Sequence, residues 1–386
     1  MKRSTERYLT THVGSMIRPP KIVEFTQAIS AGRPIDQQAY EATLREEVAN
    51  VVRKQAACGI DVISDGELGK PSWLHILSRI SGFEVREVPR PKVGFRGWDP
   101  ETRFKDFYSQ PGQGGFASRQ AVCVGPVEYT AEGRAQLRRD VANFKAALEQ
   151  VQAEEAFLPV VAPCSISVNY RNEYYRSEEE FLFAVADALH EEYKIITDAG
   201  LVVQTDDAIL ANWHDHIVEE RGLNYAKWVG LQMDALNHAL RGIPQDMVRY
   251  HLCWGSWPGP HTNDVPLAEF VDELLKANVG AYSIEAANPR HEWEWVVWQD
   301  TKLPAGKVLL PGVISHAISH VEHPELVAQR IERYARLVGP ENVIASTDCG
   351  FAQGSATARQ NPEIVWAKLE SLAEGARIAT KRVMKK

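Results

Sequence analysis

The sequence predicts an α/β protein: a (β/α)8 barrel of the TIM type that carries one inserted, lid-like loop. Short β-rich runs alternate with long amphipathic runs along the chain, which is typical of parallel strands joined by helices. The 386 residues exceed the roughly 250 that such a barrel needs. The main irregular region, residues 86–119, has neither the two-residue period of a strand nor the 3.6-residue period of a helix. We therefore expect a single barrel domain over residues 1–386, with an insertion at 86–119.

Nine segments have the β-branched and apolar composition of buried strands. They are YLTTHV (8–13), DVISDG (61–66), QAVCVG (120–125), FLPVVA (157–162), LVVQTD (201–206), VRYHLC (248–253), AYSIEA (281–286), VLLPGV (308–313) and NVIAST (342–347). A barrel of this type closes with eight strands. One of the nine is therefore expected to lie outside it.

Amphipathic segments of helical length lie between these strands. Examples are YEATLREEVANVVRKQAACG, EEEFLFAVADALHEEYKIITDAG, LAEFVDELLKANVG and PELVAQRIERYARLVG. Each of these ends in a glycine, the residue that commonly follows a helix C-terminus. Ser177 and Glu180 have the spacing of a capping box, which predicts that a helix begins after Ser177.

The insertion at 86–119 is dense in glycine, proline, arginine and aromatic residues. A loop of this length in a compact domain is usually a functional lid or a disordered segment. Its phenylalanine, tryptophan and tyrosine content favours a packed lid.

Composition restricts the partners. The formal net charge is −8 and no Lys/Arg-rich run is present, which argues against a nucleic acid or an anionic membrane surface. No apolar stretch reaches the roughly 18 residues of a membrane span, and residues 1–20 lack a signal-peptide pattern. Five scattered cysteines suit a reducing compartment. We expect a cytoplasmic enzyme that acts on small molecules. The sequence does not indicate its oligomeric state.

Side chains that can bind a metal or transfer a proton recur where the predicted strands end. They are Asp65, Glu67, Asp206, Asp207, His251, Cys253, Glu285, Asp348 and Cys349. Active sites of barrels of this kind form at the C-terminal ends of the strands. This recurrence predicts an active site at that end.

The motif His251-x-Cys253 suggests a metal site. Residues i and i+2 of a strand point to the same face, so both side chains can reach one ion. Thr347 and Cys349 have the same spacing on the last strand. Two thiolates and an imidazole suit Zn2+. Taken alone, the motif is equally compatible with two side chains packed in the core.

An ordered set of short motifs resembles the cobalamin-independent methionine synthase family. The motifs are TTHVGS, VISDGE, QTDD, HLCWGS, YSIEAANPR and STDCGF. The resemblance runs from about residue 8 to the C-terminus and is to the family's C-terminal catalytic barrel. The short, single-barrel members are the most similar, a group that includes the epoxyalkane:coenzyme M transferases.

The resemblance implies a site and its ligands. The family's zinc ligands correspond to His251, Cys253, Glu285 and Cys349, and its homocysteine-binding groups correspond to Ser15, Glu67 and Asp206. Other interpretations stay open at this stage: Glu285 could bind substrate or pair with Arg290. Ser15 could cap a helix, and Glu67 and Asp206 could be surface or salt-bridged carboxylates.

The sequence departs from the family at the general acid. The position of the family's histidine reads Ala317, with His316 one residue earlier and His320 and His323 nearby. His316 is the predicted proton donor, with Asp206 as a second catalytic group, although a solvent-facing loop histidine is the alternative. His323 is expected to start the next helix. The tryptophans of HEWEWVVWQD and WGSWPG could stack on a flat donor or simply pack a helix against the barrel.

Together these features predict a zinc-dependent methyltransferase. It would activate a thiol, homocysteine, and methylate it from a methyl-folate or methyl-corrinoid donor to form methionine. The alternatives are alkyl transfer involving another thiol, as in the epoxyalkane:coenzyme M transferases, and a lyase of the uroporphyrinogen decarboxylase type. The sequence does not identify the donor.

Overall fold

The fold of the chain is given by a computed structural model. The structure describes residues 1–72, 75–88, 104–109, 119–214, 217–218, 221–256, 259–262, 264–352, 354 and 360–384.

Ten strands are found in the described part of the chain. They are β1 (Val62–Ile63), β2 (Phe83–Glu87), β3 (Arg119–Cys123), β4 (Glu155–Val161), β5 (Arg171–Asn172), β6 (Val202–Asp207), β7 (Val248–Leu252), β8 (Ala281–Glu285), β9 (Val308–Ile314) and β10 (Ser346–Thr347). Seven of them form one sheet in the order β1-β4-β6-β7-β8-β9-β10. All neighbours in this sheet are parallel.

The segment around Thr10 and Thr11 closes this sheet into a barrel. Thr10 forms a parallel bridge with Ala345 beside β10, and Thr11 forms one with Val62 of β1. The Thr11 N–H donates to the Ala345 carbonyl at 2.8 Å, and the Val62 N–H donates to the Thr10 carbonyl at 3.0 Å. The predicted strand at 8–13 therefore occupies the eighth strand position of the barrel, and the (β/α)8 prediction is confirmed.

The surplus strand is β3. It pairs with β2 and β5 in a separate three-stranded sheet outside the barrel. The predicted lid at 86–119 begins within β2 and ends at the start of β3. Apart from a short helix at Lys105–Tyr108, most of that lid lies outside the described residues.

Helices connect the strands, and three of the four predicted amphipathic runs are helical over nearly their whole length. The prediction is wrong for most of the fourth run, residues 267–280, which has only a 3-10 turn at Leu267–Glu269 and a short helix at Val271–Leu274. They are α1 (Pro20–Ser30), α2 (Gln37–Ala57), α3 (Lys105–Tyr108), α4 (Ala131–Leu148), α5 (Pro163–Asn169), α6 (Glu178–Asp198), α7 (Tyr225–Ala239), α8 (Val271–Leu274), α9 (Val297–Asp300), α10 (Pro324–Val338) and α11 (Pro362–Val383). Ser177 caps α6 by accepting the Glu180 N–H at 3.0 Å. The Glu180 carboxylate accepts the Arg176 N–H rather than that of Ser177, so the capping box closes one residue earlier than predicted. No helix among the described residues is long and apolar enough to span a bilayer.

The barrel interior below the strand ends is filled by a buried cation over an aromatic ring. The Arg249 guanidinium lies 3.9 Å from the Phe157 ring centroid. It donates to the Thr11 hydroxyl at 3.0 Å and to the His12 carbonyl at 2.8 Å. Because side chains alternate along β7, His251 lies on the same face as Arg249, one layer nearer the C-terminal end.

Candidate metal and substrate site

Three predicted ligands converge at the C-terminal end of the barrel. The ligand atoms of His251, Cys253 and Cys349 all lie within 4.8 Å of one another. His251 lies on β7, Cys253 directly follows that strand, and Cys349 follows β10. All three side chains are buried. The alternative in which the His-Cys motif is only core packing does not explain why the distant Cys349 joins it.

The two sulfur atoms share hydrogen bonds with their surroundings. The Cys253 and Cys349 Sγ atoms are 3.6 Å apart. The Ser256 hydroxyl donates to Cys349 Sγ at 3.0 Å, and the Gly255 N–H donates to Cys253 Sγ at 3.2 Å. A hydrogen bond from Cys253 lowers the pKa of the Cys349 thiol well below its ordinary value, and the same bond together with burial raises the pKa of Cys253. The pair thus favours one thiolate even before any ion binds.

One nitrogen of His251 is held and the other is free to bind an ion. Nδ1 lies 3.2 Å from the Ser283 hydroxyl. Nε2 is buried and has no hydrogen-bond partner among the described residues. An imidazole fixed through one nitrogen is the usual arrangement of a metal-ligating histidine. The orphaned nitrogen and the two sulfurs therefore fit a metal ion that prefers nitrogen and sulfur ligands.

Glu285 is buried at the end of β8 but is not one of the three clustered ligands. Its Oε1 accepts the Trp254 N–H at 3.1 Å and its Oε2 accepts the Asn288 amide at 2.7 Å. Arg290 donates instead to the Thr262 carbonyl. In this arrangement Glu285 fixes the backbone directly after Cys253.

A second group of charges lies beside the cluster. Asp206 on β6 is the register partner of His251. Burial, with the nearby charge of Glu67, raises the pKa of Asp206 to about 8, although His251 and Lys70 oppose the shift. Lys70 Nζ lies 3.9 Å from Glu67 Oε2 and also donates to the Pro159 carbonyl. Two acids and one ammonium group therefore share this part of the barrel mouth, and Lys70 was not singled out by the sequence motifs.

The turn that carries Glu67 is tied to the loop that carries Cys349. Glu67 has a positive φ of 56°. The Arg18 guanidinium donates to the backbone carbonyls of Glu67, Lys70 and Ala352. These bonds fix the turn that carries Glu67 against the loop that carries Cys349. Arg18 is a positioning group that the sequence analysis did not identify.

Ser15 packs directly against the Cys349 loop. Its hydroxyl accepts the Ala352 N–H at 3.3 Å, and its carbonyl accepts the Phe351 N–H at 2.9 Å. A Cβ on Gly350 would lie 2.0 Å from the Ser15 hydroxyl. Ser15 is not in a helix and caps none, since α1 begins at Pro20 with Pro19 as its N-cap.

His316 is a buried side chain rather than a solvent-facing one. Its side chain has two nitrogens, and neither has a hydrogen-bond partner among the described residues. It lies two residues beyond the end of β9, at the same end of the barrel as the cluster, and it contributes to lowering the pKa of Cys349. His320 and His323 are exposed, and His323 is the N-cap of α10 as predicted.

The described tryptophans differ in position: Trp254 lies beside the cluster, whereas Trp298 packs in the core. Trp254 is fully buried next to Cys253, and its ring centroid lies 4.3 Å from that of His291. Trp298 is buried in the main core, whereas Trp293 is half exposed. Trp257 lies outside the described residues. The packing interpretation therefore holds for Trp298.

Comparisons with known proteins identify relatives over nearly the whole chain. No protein-family profile matches the sequence. The methionine synthase of Thermococcus kodakarensis is 24% identical over 378 residues, covering 97% of this chain and 94% of that protein. The methionine synthase of Saccharolobus solfataricus is 25% identical, covering 98% and 96%. Among solved structures, a B12-independent methionine synthase from a Shewanella species, in complex with selenomethionine, superposes with a TM-score of 0.73 at 18% identity, covering 98% of this chain and all (100%) of that one.

These matches confirm the resemblance that the ordered motifs predict. They extend over both the strands that carry the clustered ligands and the segment that carries Ser15 and Glu67. The solved structure independently supports the barrel fold.

Proposed function

We propose that this chain, a relative of the cobalamin-independent methionine synthases, is a zinc-dependent S-methyltransferase that methylates homocysteine. The donor would be a methyl-folate or a methyl-corrinoid, and the product methionine. The observation that carries the proposal is the convergence of His251, Cys253 and Cys349 beside the acids Glu67 and Asp206. The whole chain is taken as one catalytic barrel domain with an insertion at 86–119.

His251, Cys253 and Cys349 would hold the zinc ion. Glu285 is the proposed fourth ligand, and to serve as one it would exchange its hydrogen bond to the Trp254 N–H or to Asn288. Bound zinc would lower the pKa of a coordinated substrate thiol, so that the thiol reacts as a thiolate at neutral pH. All three side chains are buried, which limits their contact with bulk water.

The neighbouring charges match the zwitterionic end of an amino acid. Glu67 and Asp206 would pair with the homocysteine ammonium group, and Lys70 would pair with its carboxylate. A positive substrate group favours the ionised form of Asp206, whose pKa is otherwise about 8 because of burial. Ser15 would contribute its hydroxyl at the edge of the same pocket. A thiol that carries only an anionic group, such as coenzyme M, would leave the two acids unpaired, so this arrangement favours homocysteine.

His316 would supply the proton to the donor's leaving group. A tertiary amine is a poor leaving group unless it is protonated, so such a donor needs a positioned acid. His316 is buried near Cys349 with both ring nitrogens unengaged among the described residues. Asp206 is the second candidate, in an arrangement where Glu67 alone pairs with the ammonium group, because a carboxyl group with a pKa of about 8 carries a proton at neutral pH.

Product formation tests the proposal. The zinc-loaded protein is incubated with homocysteine and either methyl-tetrahydrofolate or methylcobalamin, and methionine is quantified by mass spectrometry. Cys349→Ala should abolish turnover, whereas Cys58→Ala, which alters a cysteine outside the cluster, should retain it. Competition among homocysteine, coenzyme M and glutathione on cobalt-substituted protein identifies the thiol. No methionine with either donor would contradict the proposal.

A further inference from the structure

The connection between β9 and α10 buries only three of its side chains. Residues 315–323 link the two elements, and those from 317 to 321 are exposed, as is His323. The buried ones are Ser315, His316 and Glu322. An exposed loop of this kind does not by itself fix the direction of one buried side chain. Some contact must hold His316 inward.

A buried ion pair supplies that contact. Glu322 Oε1 accepts the Ser315 N–H at 2.8 Å, directly before His316. Glu322 Oε2 lies 2.8 Å from Lys368 Nζ, whose side chain is completely buried on α11. Lys368 also donates to the His320 carbonyl at 2.5 Å. The pair therefore grips both ends of the exposed segment.

Further bonds attach the same loop to the C-terminal part of the chain. The Gln360 side-chain amide donates to the His316 carbonyl at 3.3 Å, and its oxygen accepts the Ser319 hydroxyl at 2.9 Å. The Ser371 hydroxyl donates to the Glu322 carbonyl. None of these contacts involves the His316 ring, whose nitrogens have no hydrogen-bond partner in the described part of the chain.

We propose that Glu322 and Lys368 are positioning residues that hold the His316 imidazole at the barrel mouth. The inference rests on the proposed function only for what His316 does there, since the clamp itself is a matter of geometry. A buried ion pair is costly to desolvate and is poor evidence for stability alone. Its arrangement around one loop gives it a different role, the specification of a single loop conformation.

Two readouts test the clamp. The first is the rate at which diethylpyrocarbonate modifies His316, followed by peptide mass spectrometry on the zinc-loaded protein. Lys368→Met should raise that rate roughly 10-fold or more, because the loop opens locally. The second is steady-state kinetics, in which kcat should fall about 10-fold or more while KM for the thiol changes little, as expected for a displaced general acid.

Controls separate the clamp from general destabilisation. Glu192→Gln breaks a buried pair with Arg79 elsewhere in the barrel and should lower stability without exposing His316. Two further variants serve if Lys368→Met does not fold. The double variant Lys368→Met/Glu322→Gln removes both charges of this ion pair. Gln360→Ala removes only the hydrogen bonds of Gln360 to the His316 carbonyl and to the Ser319 hydroxyl. Each of these two variants should raise the modification rate of His316, but by less than Lys368→Met.

The outcomes are distinguishable. Unchanged protection of His316 in Lys368→Met, in the double variant and in Gln360→Ala overturns the inference. If His316→Ala leaves kcat unchanged, the proposed acid role fails, while the modification rates still decide whether the clamp exists.

Discussion

The Ser256 hydroxyl donates a hydrogen bond to the Cys349 sulfur across 3.0 Å. The two residues lie in loops that follow different strands, β7 and β10, so the bond joins both halves of the sulfur pair. A hydrogen bond to a thiolate stabilises its negative charge and orients the sulfur.

Removing that hydroxyl should weaken metal binding. We expect Ser256→Ala to lower Zn2+ affinity about 10-fold or more, the usual effect of losing a group that orients a ligand. Affinity is measured by competition with a chromogenic chelator, and the sulfur-to-metal charge-transfer bands of the cobalt-substituted protein should shift. Ser78→Ala, at an exposed serine outside the cluster, is the matched control. Equal affinities of wild type and Ser256→Ala would exclude this role.

Lys70 should contribute to recognition of the substrate carboxylate. Lys70→Met is expected to raise KM for homocysteine about 10-fold or more, since hydrogen bonds to charged groups contribute roughly 1.5–3 kcal/mol. The same variant should have little effect with 3-aminopropanethiol, which lacks the carboxylate. Steady-state kinetics with both thiols checks this. An equal rise in KM for both would show that Lys70 acts on the fold of the pocket instead.

The buried His12 should make stability depend on pH. Burial lowers the pKa of His12 to about 4, and its Nε2 lies 2.6 Å from the Gln55 Oε1 while Nδ1 accepts the Gly14 N–H. Between pH 6.5 and 4 the unfolded chain binds a proton that the folded chain excludes. As the pH is lowered through this window, the free energy of unfolding should therefore decrease by up to about 1.4 kcal/mol per pH unit. His12 causes no such loss above pH 6.5.

Denaturant unfolding at several pH values measures this slope. His12→Asn keeps an acceptor near Nδ1 but cannot titrate, so its slope between pH 6.5 and 4 should be shallower than that of wild type by the contribution of His12. Parallel curves for the two proteins would show that folding does not lower the pKa of His12.

The contact between Gly350 and Ser15 leaves no room for a side chain. A Cβ at Gly350 would lie 2.0 Å from the Ser15 hydroxyl, so Gly350→Ala must displace Ser15 or the Cys349 loop. We expect a stability loss of about 1–3 kcal/mol together with weaker homocysteine binding, measured by thermal unfolding and calorimetry. Gly125→Ala, whose added Cβ has its nearest neighbour at 3.7 Å, should change neither. Unaltered homocysteine binding by Gly350→Ala would separate Ser15 from the substrate pocket.

The barrel was predictable because its signals are local. Each strand is a short apolar run, and polar residues such as Asp206 and His251 follow the alternation that places them at one end. The surplus strand β3 could not be recognised in advance, because its composition matches that of barrel strands and only pairing with β2 distinguishes it.

The site was predictable only where spacing or family motifs mark it. His251 and Cys253 share a strand face, and Cys349 joined them through the resemblance. Lys70 carries no such pattern, because a single lysine in a loop is common. Ser256 lies within the motif HLCWGS, but no spacing indicates its contact with Cys349. The burial of His316 likewise depends on Lys368, which lies 52 positions away in the sequence.

Thiol-linked proton release is the most direct measurement of the proposed chemistry. Zinc content and proton release are measured together when homocysteine is added to wild type, Cys349→Ala and Cys58→Ala in weakly buffered solution. We predict one zinc ion per chain and about one proton released per bound thiol for wild type and Cys58→Ala, and neither for Cys349→Ala. Zinc retained by Cys349→Ala, or binding of homocysteine to the zinc-loaded wild type without proton release, would contradict thiol activation at this cluster.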